Sequence, residues 1–209
     1  MASSSPPTRN EGGLRRELEI YRAAIEIFHR RGFADTSVED IAEAVGILKG
    51  SLYHYIDSKE DLLFRILAEV HEEVEALLRA ALDQPDVSAF ERLLDYVRGQ
   101  ATYNTQNIEK IAVYYHDLNQ LSPQRQEDIA GKRRAHERSV KQLIQTAQEE
   151  GDVAEDLDPS LATAEVFALV GWLYTWFSPK GPVPGEQVAD FTVEFARRAL
   201  SPVIAIPSG

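Results

Sequence analysis

Apolar residues recur along this chain every three to four positions, the period of one face of an α-helix. Leu18, Tyr21, Ile25 and Phe28 form the first such stripe, between Leu14 and Arg31, and Gly32 ends it in the manner of a C-terminal glycine. Thr36 and Ser37 then stand ahead of Val38, Ile41, Ala42 and Val45, with Ser37 and Asp40 at the spacing of a capping box. That second helix stops at Gly46. After Gly46-Ile47-Leu48 a third short helix is predicted from Lys49 to Tyr55, and Ser58 opens a fourth, whose stripe runs through Leu62, Leu63, Ile66, Leu67, Val70, Val74 and Leu77 to Leu82. Pro85 interrupts. Ser88 with Glu91 caps a helix presenting Phe90, Leu93, Leu94, Val97 and Ala101; a shorter one spans Ile108 to Leu118. Ser122-Pro123 starts a long polar helix that ends at Gly151, because proline suits the first helical position. Asp158-Pro159 repeats the signal and predicts a helix to Phe177, followed by a break and a last helix from Gln187 to Leu200. No segment alternates with the period of a strand flanked by hairpin turns. The expected fold is all-α, with about nine helices.

Charge and composition narrow the functional classes. The 209 residues carry 22 Lys+Arg against 34 Asp+Glu, a formal charge of -12, so the surface as a whole repels nucleic acid and anionic membranes. Any DNA contact must be local. There are 8 basic and 10 acidic residues in positions 1–60, and 14 and 24 in the remainder, so the N-terminal part is the less acidic one. The absence of cysteine excludes disulfides, thiolate metal sites and cysteine nucleophiles, and fits a reducing cytoplasm. The most apolar stretch, Val166 to Phe177, is shorter than the ~20 residues of a membrane span. Residues 1–13, rich in Ser, Pro, Asn and Gly, read as a disordered tail rather than a signal peptide.

Two short helices joined by a tight glycine-containing turn, behind a longer helix, form the helix-turn-helix arrangement, whose second helix is sized for a major groove. Lys49, Gly50, Ser51, Tyr53 and His54 crowd its start and outer side, while Leu52 and Ile56 face inward. Lys49 can donate to guanine or to phosphate, Ser51 to either, and Tyr53 and His54 to phosphate oxygens. Gly50 lets backbone approach DNA closely, and Lys59 stands where a helix start attracts phosphate.

The run Thr36-Ser37-Val38-Glu39-Asp40-Ile41-Ala42, continued by Gly46-Ile47-Leu48-Lys49-Gly50-Ser51-Leu52-Tyr53-His54-Tyr55 and Ser58-Lys59-Glu60-Asp61-Leu62-Leu63, resembles the TetR family of bacterial transcriptional repressors. The resemblance covers roughly Leu14 to Val70. It implies an N-terminal three-helix DNA-binding head over residues 14–58 and a larger helical ligand-binding and dimerisation body over 59–209. Carried over by position, the DNA contacts fall on Ser37, Lys49, Gly50, Ser51, Tyr53, His54 and Lys59. Glu39 departs from the basic or polar residue that some members place there; it either accepts from cytosine or points to solvent. Dimerisation through the last two long helices would bring two heads about one DNA turn apart (~34–36 Å), or a multiple, on a palindromic operator.

In the body, Tyr96, Gln100, Tyr103, Asn104, Tyr114, Tyr115, His116, Asn119, Trp172 and Trp176 mix aromatic area with hydrogen-bonding tips, a lining suited to a largely apolar effector. Each singly fits equally as core. The loop Trp176-Phe177-Ser178-Pro179-Lys180-Gly181-Pro182 resembles one in TetR-type regulators of fatty-acid and steroid breakdown, some of which respond to acyl-CoA thioesters. Lys132, Arg133, Arg134, Arg138 and Lys141 form a basic stretch in which Arg134, Arg138 and Lys141 share one helical stripe, able to meet phosphates or to pair with Glu127, Asp128 and Glu137.

The sequence therefore predicts a ligand-responsive repressor, acting as a homodimer, with no cofactor and no membrane partner. Catalysis is not expected: the five histidines are scattered, with no His-x-x-x-His pair, no nucleophile elbow and no phosphate loop. His71 with Glu75 supplies only two metal ligands, too few for a closed site. A helical lipid-binding or protein-interaction module without a DNA role is the alternative; it explains the acidic body and leaves the Lys49 to His54 run unexplained.

Overall fold

The computed structural model describes residues 9–202, and among them every regular element is helical. The head comprises α1 (Arg9–Arg31), α2 (Val38–Ala44) and α3 (Lys49–Leu52). A long α4 (Lys59–Leu82) leads out of it into a body of α5 (Ala89–Gln106), α6 (Ile108–Asp117), α7 (Pro123–Glu149), α8 (Pro159–Gly171), α9 (Leu173–Trp176) and α10 (Gly185–Leu200), with a 3-10 turn after α6. None of these helices is long and apolar enough to cross a membrane.

Local sequence chemistry sets the boundaries of the head. Ser37 Oγ accepts from Asp40 N at 3.1 Å while Ser37 N donates to the Asp40 carboxylate at 2.7 Å, closing the capping box with aspartate as the reciprocal partner. Gly46 has φ +67°, which a side chain would strain, and so turns α2 toward α3. Arg16 on α1 donates to the free Val45 carbonyl at 3.0 Å, which ties α1 to the end of α2. Ile20, Ala24, Phe28, Ile41 and Leu52 fill the space between the three helices.

In the body α5 is the central helix, packed by α4, α7, α8 and α10. That position explains why it buries polar residues, Gln100 and Asn104, along with Leu93, Leu94, Tyr96 and Val97. Asp158 caps α8 by accepting from Ser160 N and Leu161 N, as Asp158-Pro159 suggested.

Four boundaries differ from those read in the sequence. Helix α1 begins at Arg9, so positions 9–13 of the expected tail are helical, and positions 1–8 lie outside the described residues. The two glycines there lower helix propensity by about 1 kcal/mol each, which a long helix already propagating from Leu14 tolerates. Helix α3 ends at Leu52, because burying Ile56 turns the chain inward and leaves Tyr53, His54 and Tyr55 in a turn closed by Tyr55 N to Leu52 O at 2.9 Å. The expected helix to Phe177 is divided at Trp172 into α8 and the four-residue α9. Just before that break Gly171 leaves room for the Tyr115 hydroxyl of α6, which a Cβ there would meet at 2.6 Å. The last helix starts at Gly185, two residues before Gln187.

Candidate nucleic-acid interface and effector cavities

On the head, Ser37, Lys49, Gly50, Tyr53 and His54 are exposed and Ser51 is half-buried, held together by the α2-turn-α3 frame that Leu52 anchors from beneath. Their conditions differ. Ser37 Oγ is engaged in its capping box, and Lys49 forms an ion pair with Glu39. Glu39 is itself exposed, as one of its two readings from sequence expected, and its carboxylate takes Lys49 as its partner. The pairing raises the Lys49 ammonium and lowers the Glu39 carboxyl from their ordinary values. Gly50 has open space where a Cβ would stand.

Lys59 is half-buried and has partners within the fold. Its Nζ donates to Phe33 O at 2.7 Å and to Thr36 O at 2.5 Å, and it lies 4.1 Å from the centre of the Phe33 ring. The ammonium therefore clasps α4 to the α1-α2 connection, and burial lowers its pKa against the opposing pull of Asp117, Asp35 and Asp40. One exposed residue escaped notice in the sequence: Leu48, 80% exposed, directly before α3.

In the body three hollows meet at Arg133 and Phe167. An inner chamber of about 80 Å³ lies among α4 to α8, lined by Gln100, Asn104, Tyr114 and Tyr115 of the expected set together with His71, His136, Glu137 and apolar neighbours. An apolar groove of about 810 Å³ runs over α8, α9 and α10, lined by Trp172, Trp176, Tyr174, Phe191 and Val183. A third hollow of about 560 Å³ lies between α7 and α8 and carries Arg133, Arg134, Arg138 and Lys141 of the basic stretch, whose Lys132 pairs instead with Glu72. Arg133 and Arg134 also pair with Glu137 and Glu127, whereas Asp128 takes Gln124 as its partner, and Lys141 donates to Ser160.

Tyr103, His116 and Asn119 line none of these hollows, and Tyr96 stands behind the chamber wall. Tyr103 donates to Glu73, which Lys110 also holds at 2.6 Å; that contact belongs to the α4-α5-α6 packing. His116 lies exposed with its ring edge toward Tyr174, and Asn119 is exposed in the 3-10 turn. Tyr96 is fully buried, its hydroxyl between Gln100 and His136. His71 and His136 were not among the expected lining, because their partners come from other helices: His71 Nε2 lies 2.8 Å from the Tyr114 hydroxyl, and His136 Nδ1 lies 2.8 Å from Glu75. Burial, aided by the neighbouring His136, Arg133 and Lys132, lowers the His71 pKa to about 4, so His71 is neutral at pH 7.

One more contact joins head and body. Asp117, at the end of α6, accepts from Phe33 N at 3.3 Å, while Ile111, Tyr114 and Tyr115 on the same helix wall the inner chamber.

A helix-turn-helix head with an exposed polar face, set on a helical body that encloses cavities, defines a DNA-binding regulator. Comparison with known proteins agrees: residues 20–66 match the family model described as bacterial regulatory proteins, tetR family, and residues 86–200 match the tetracyclin repressor-like C-terminal domain. The chain belongs to the TetR family of transcriptional regulators. It is 28% identical over 185 residues, 88% of this chain and 89% of the relative, to the HTH-type transcriptional repressor KstR2 of Mycolicibacterium smegmatis. The solved structure of the ketosteroid transcriptional regulator KstR2 of Mycobacterium tuberculosis superposes with a TM-score of 0.83 at 25% identity, covering 89% of this chain and 95% of that one. A crystal structure of AibR in complex with isovaleryl coenzyme A and operator DNA superposes with a TM-score of 0.77 at 26% identity, covering 86% and 97%. These families and relatives are regulators of transcription rather than enzymes.

Proposed function

We propose that the protein is a homodimeric repressor that holds a palindromic operator with its two heads and leaves it when an acyl-CoA thioester occupies the body. The observation that carries a ligand response is α6: its side chains wall the chamber at one end, and its Asp117 holds the head through Phe33 at the other. A ligand that shifts α6 shifts the head. The long α4 contributes through Lys59, whose ammonium holds the Phe33 and Thr36 carbonyls of the head.

The effector class is supported by the way the hollows adjoin. Arg133, Ala164 and Phe167 line both the apolar groove and the basic one, so a molecule with an acyl body and a polyphosphate tail finds apolar and cationic surface side by side. AibR, with isovaleryl coenzyme A and operator DNA in one crystal, is a relative of matching fold. Dimerisation is supported by the large apolar residues left exposed on α8, α9 and α10, Leu161, Trp172, Trp176, Phe191 and Phe195; because Trp172, Trp176 and Phe191 also line the apolar groove, a second copy would roof that groove over the acyl body. A contiguous aromatic patch of this kind calls for a cover, and a second copy offers a self-complementary one. On DNA, Lys49, Gly50, Ser51, Tyr53 and His54 make the contacts, with Ser37 flanking them and Lys59 supporting the frame. The cytoplasm is the expected location.

The test is operator affinity by fluorescence anisotropy with and without long-chain and steroid-derived acyl-CoA. Release requires the thioester to prefer the DNA-free conformation by a few kcal/mol, a drop of about tenfold or more in operator affinity. Affinities that stay equal for every thioester remove the acyl-CoA reading and leave DNA binding standing.

A further inference from the structure

The inner chamber has polar groups in excess of its internal needs at one place. His71 is matched by Tyr114, and His136 by Tyr96 and Glu75. Asn104, only 2% exposed, donates from Nδ2 to Val170 O at 2.9 Å, while its Oδ1 is buried without a partner. One helical turn earlier on α5, the Gln100 oxygen accepts from the Tyr96 hydroxyl, which leaves its amide nitrogen as the end free to donate. Both residues line the chamber.

An unmatched acceptor and a donor four residues apart on one helical face ask for a group that donates and accepts through a single atom. A hydroxyl does both. A ketone or ether accepts only, and would leave Asn104 Oδ1 unsatisfied in a buried place. An anion finds little reason to enter, since His71 is neutral and Arg133 at the rim faces Glu137 at 3.8 Å.

We propose that the chamber is a hydroxyl-recognition subsite, selecting effectors that carry an alcohol on an otherwise apolar body. Tyr115, Arg133 and Phe167 line both chamber and apolar groove, so a ligand body in the groove delivers its alcohol past them to Asn104 and Gln100. Before the ligand arrives, the chamber has room and polar partners for water, which an alcohol replaces and a ketone does not. The proposal rests on the reading of the body as an effector site.

The experiment is calorimetric titration of the full-length protein, without DNA, by octan-2-ol and by octan-2-one, which differ only in the oxygen function. Octan-2-ol is expected to bind about tenfold tighter or more, the scale of leaving one buried acceptor unmatched. Asn104→Leu is expected to reduce the preference to within about twofold while the ketone affinity holds, with a thermal melt showing that the variant folds. The wild-type comparison decides by itself if that variant does not fold. Equal binding, preference for the ketone, or no binding of either overturns the subsite. DNA is absent, so these outcomes are separate from failure of the repressor reading, which appears as loss of operator binding or of its response to thioester.

Discussion

Replacing Lys59 with methionine distinguishes two roles that predict opposite results. In the structure the ammonium donates to Phe33 O at 2.7 Å and Thr36 O at 2.5 Å and lies over the Phe33 ring. Hydrogen bonds from a charged donor contribute about 1.5–3 kcal/mol each, and the ring contact about 0.5–1 kcal/mol. Part of that gain is offset by burial, which shows in the lowered pKa of Lys59, so a net loss of about 2 kcal/mol is expected for Lys59→Met. In a protein of this size that lowers the melting temperature by about 4–8 °C. If instead Lys59 touched phosphate, as its position at a helix start suggested, the variant would melt with the wild type. Its DNA affinity would then lose about 0.9 from the slope of log K against log salt for each head. Differential scanning fluorimetry and anisotropy at two or more salt concentrations read both quantities. An unchanged melt with a reduced salt slope refutes the clasp.

Three further substitutions test other parts of the molecule. Burial raises the Asp117 pKa against the Phe33 N–H, His116 and Lys59, so its ionisation costs stability above the raised value and nothing below the ordinary aspartate value; Asp117→Asn keeps the acceptor oxygen and is expected to melt above wild type at pH 7, with the gap shrinking as pH falls toward about 4. A gap that widens on acidification contradicts this. Glu39→Gln frees Lys49 and removes a carboxylate from the DNA face, so non-specific DNA binding should tighten by about threefold and gain salt dependence in anisotropy; weaker binding would show that the Glu39 pair positions Lys49 for DNA. Phe191→Glu places a charge in the exposed α10 patch and is expected to give monomers in sedimentation velocity with operator affinity down about 100-fold, whereas an intact dimer would move the interface elsewhere.

What the sequence made legible was local. The capping box of Ser37 and Asp40, the Gly46 turn and the start of α4 at Ser58 all depend on residues within a few positions of one another, and each is found where its spacing placed it. The exposed side of α3 followed from the inward demand of Leu52 and Ile56. Features that depend on distant chain were not legible. The contacts of Lys59 are with the Phe33 and Thr36 carbonyls, which only the folded head brings to it. The close approach of Tyr115 to Gly171, beside the break at Trp172, comes from another helix. His71 and His136 carried no motif, and their place in the chamber comes from partners on α6, α5 and α4. Tyr103 and His116 had the right chemistry for a lining, and the rotation of their helices turned them to other contacts.

The proposed function requires that two heads, fixed by one dimer, read one operator. The most direct measurement is affinity for the operator in the upstream intergenic DNA, compared with the same duplex carrying five extra base pairs between its half-sites. Half a helical turn sets the second half-site on the opposite face of the DNA, where a rigid dimer cannot reach it. A loss of about 100-fold or more, toward non-specific binding, is expected. Equal affinity for both duplexes would contradict it, since each head would then be binding on its own.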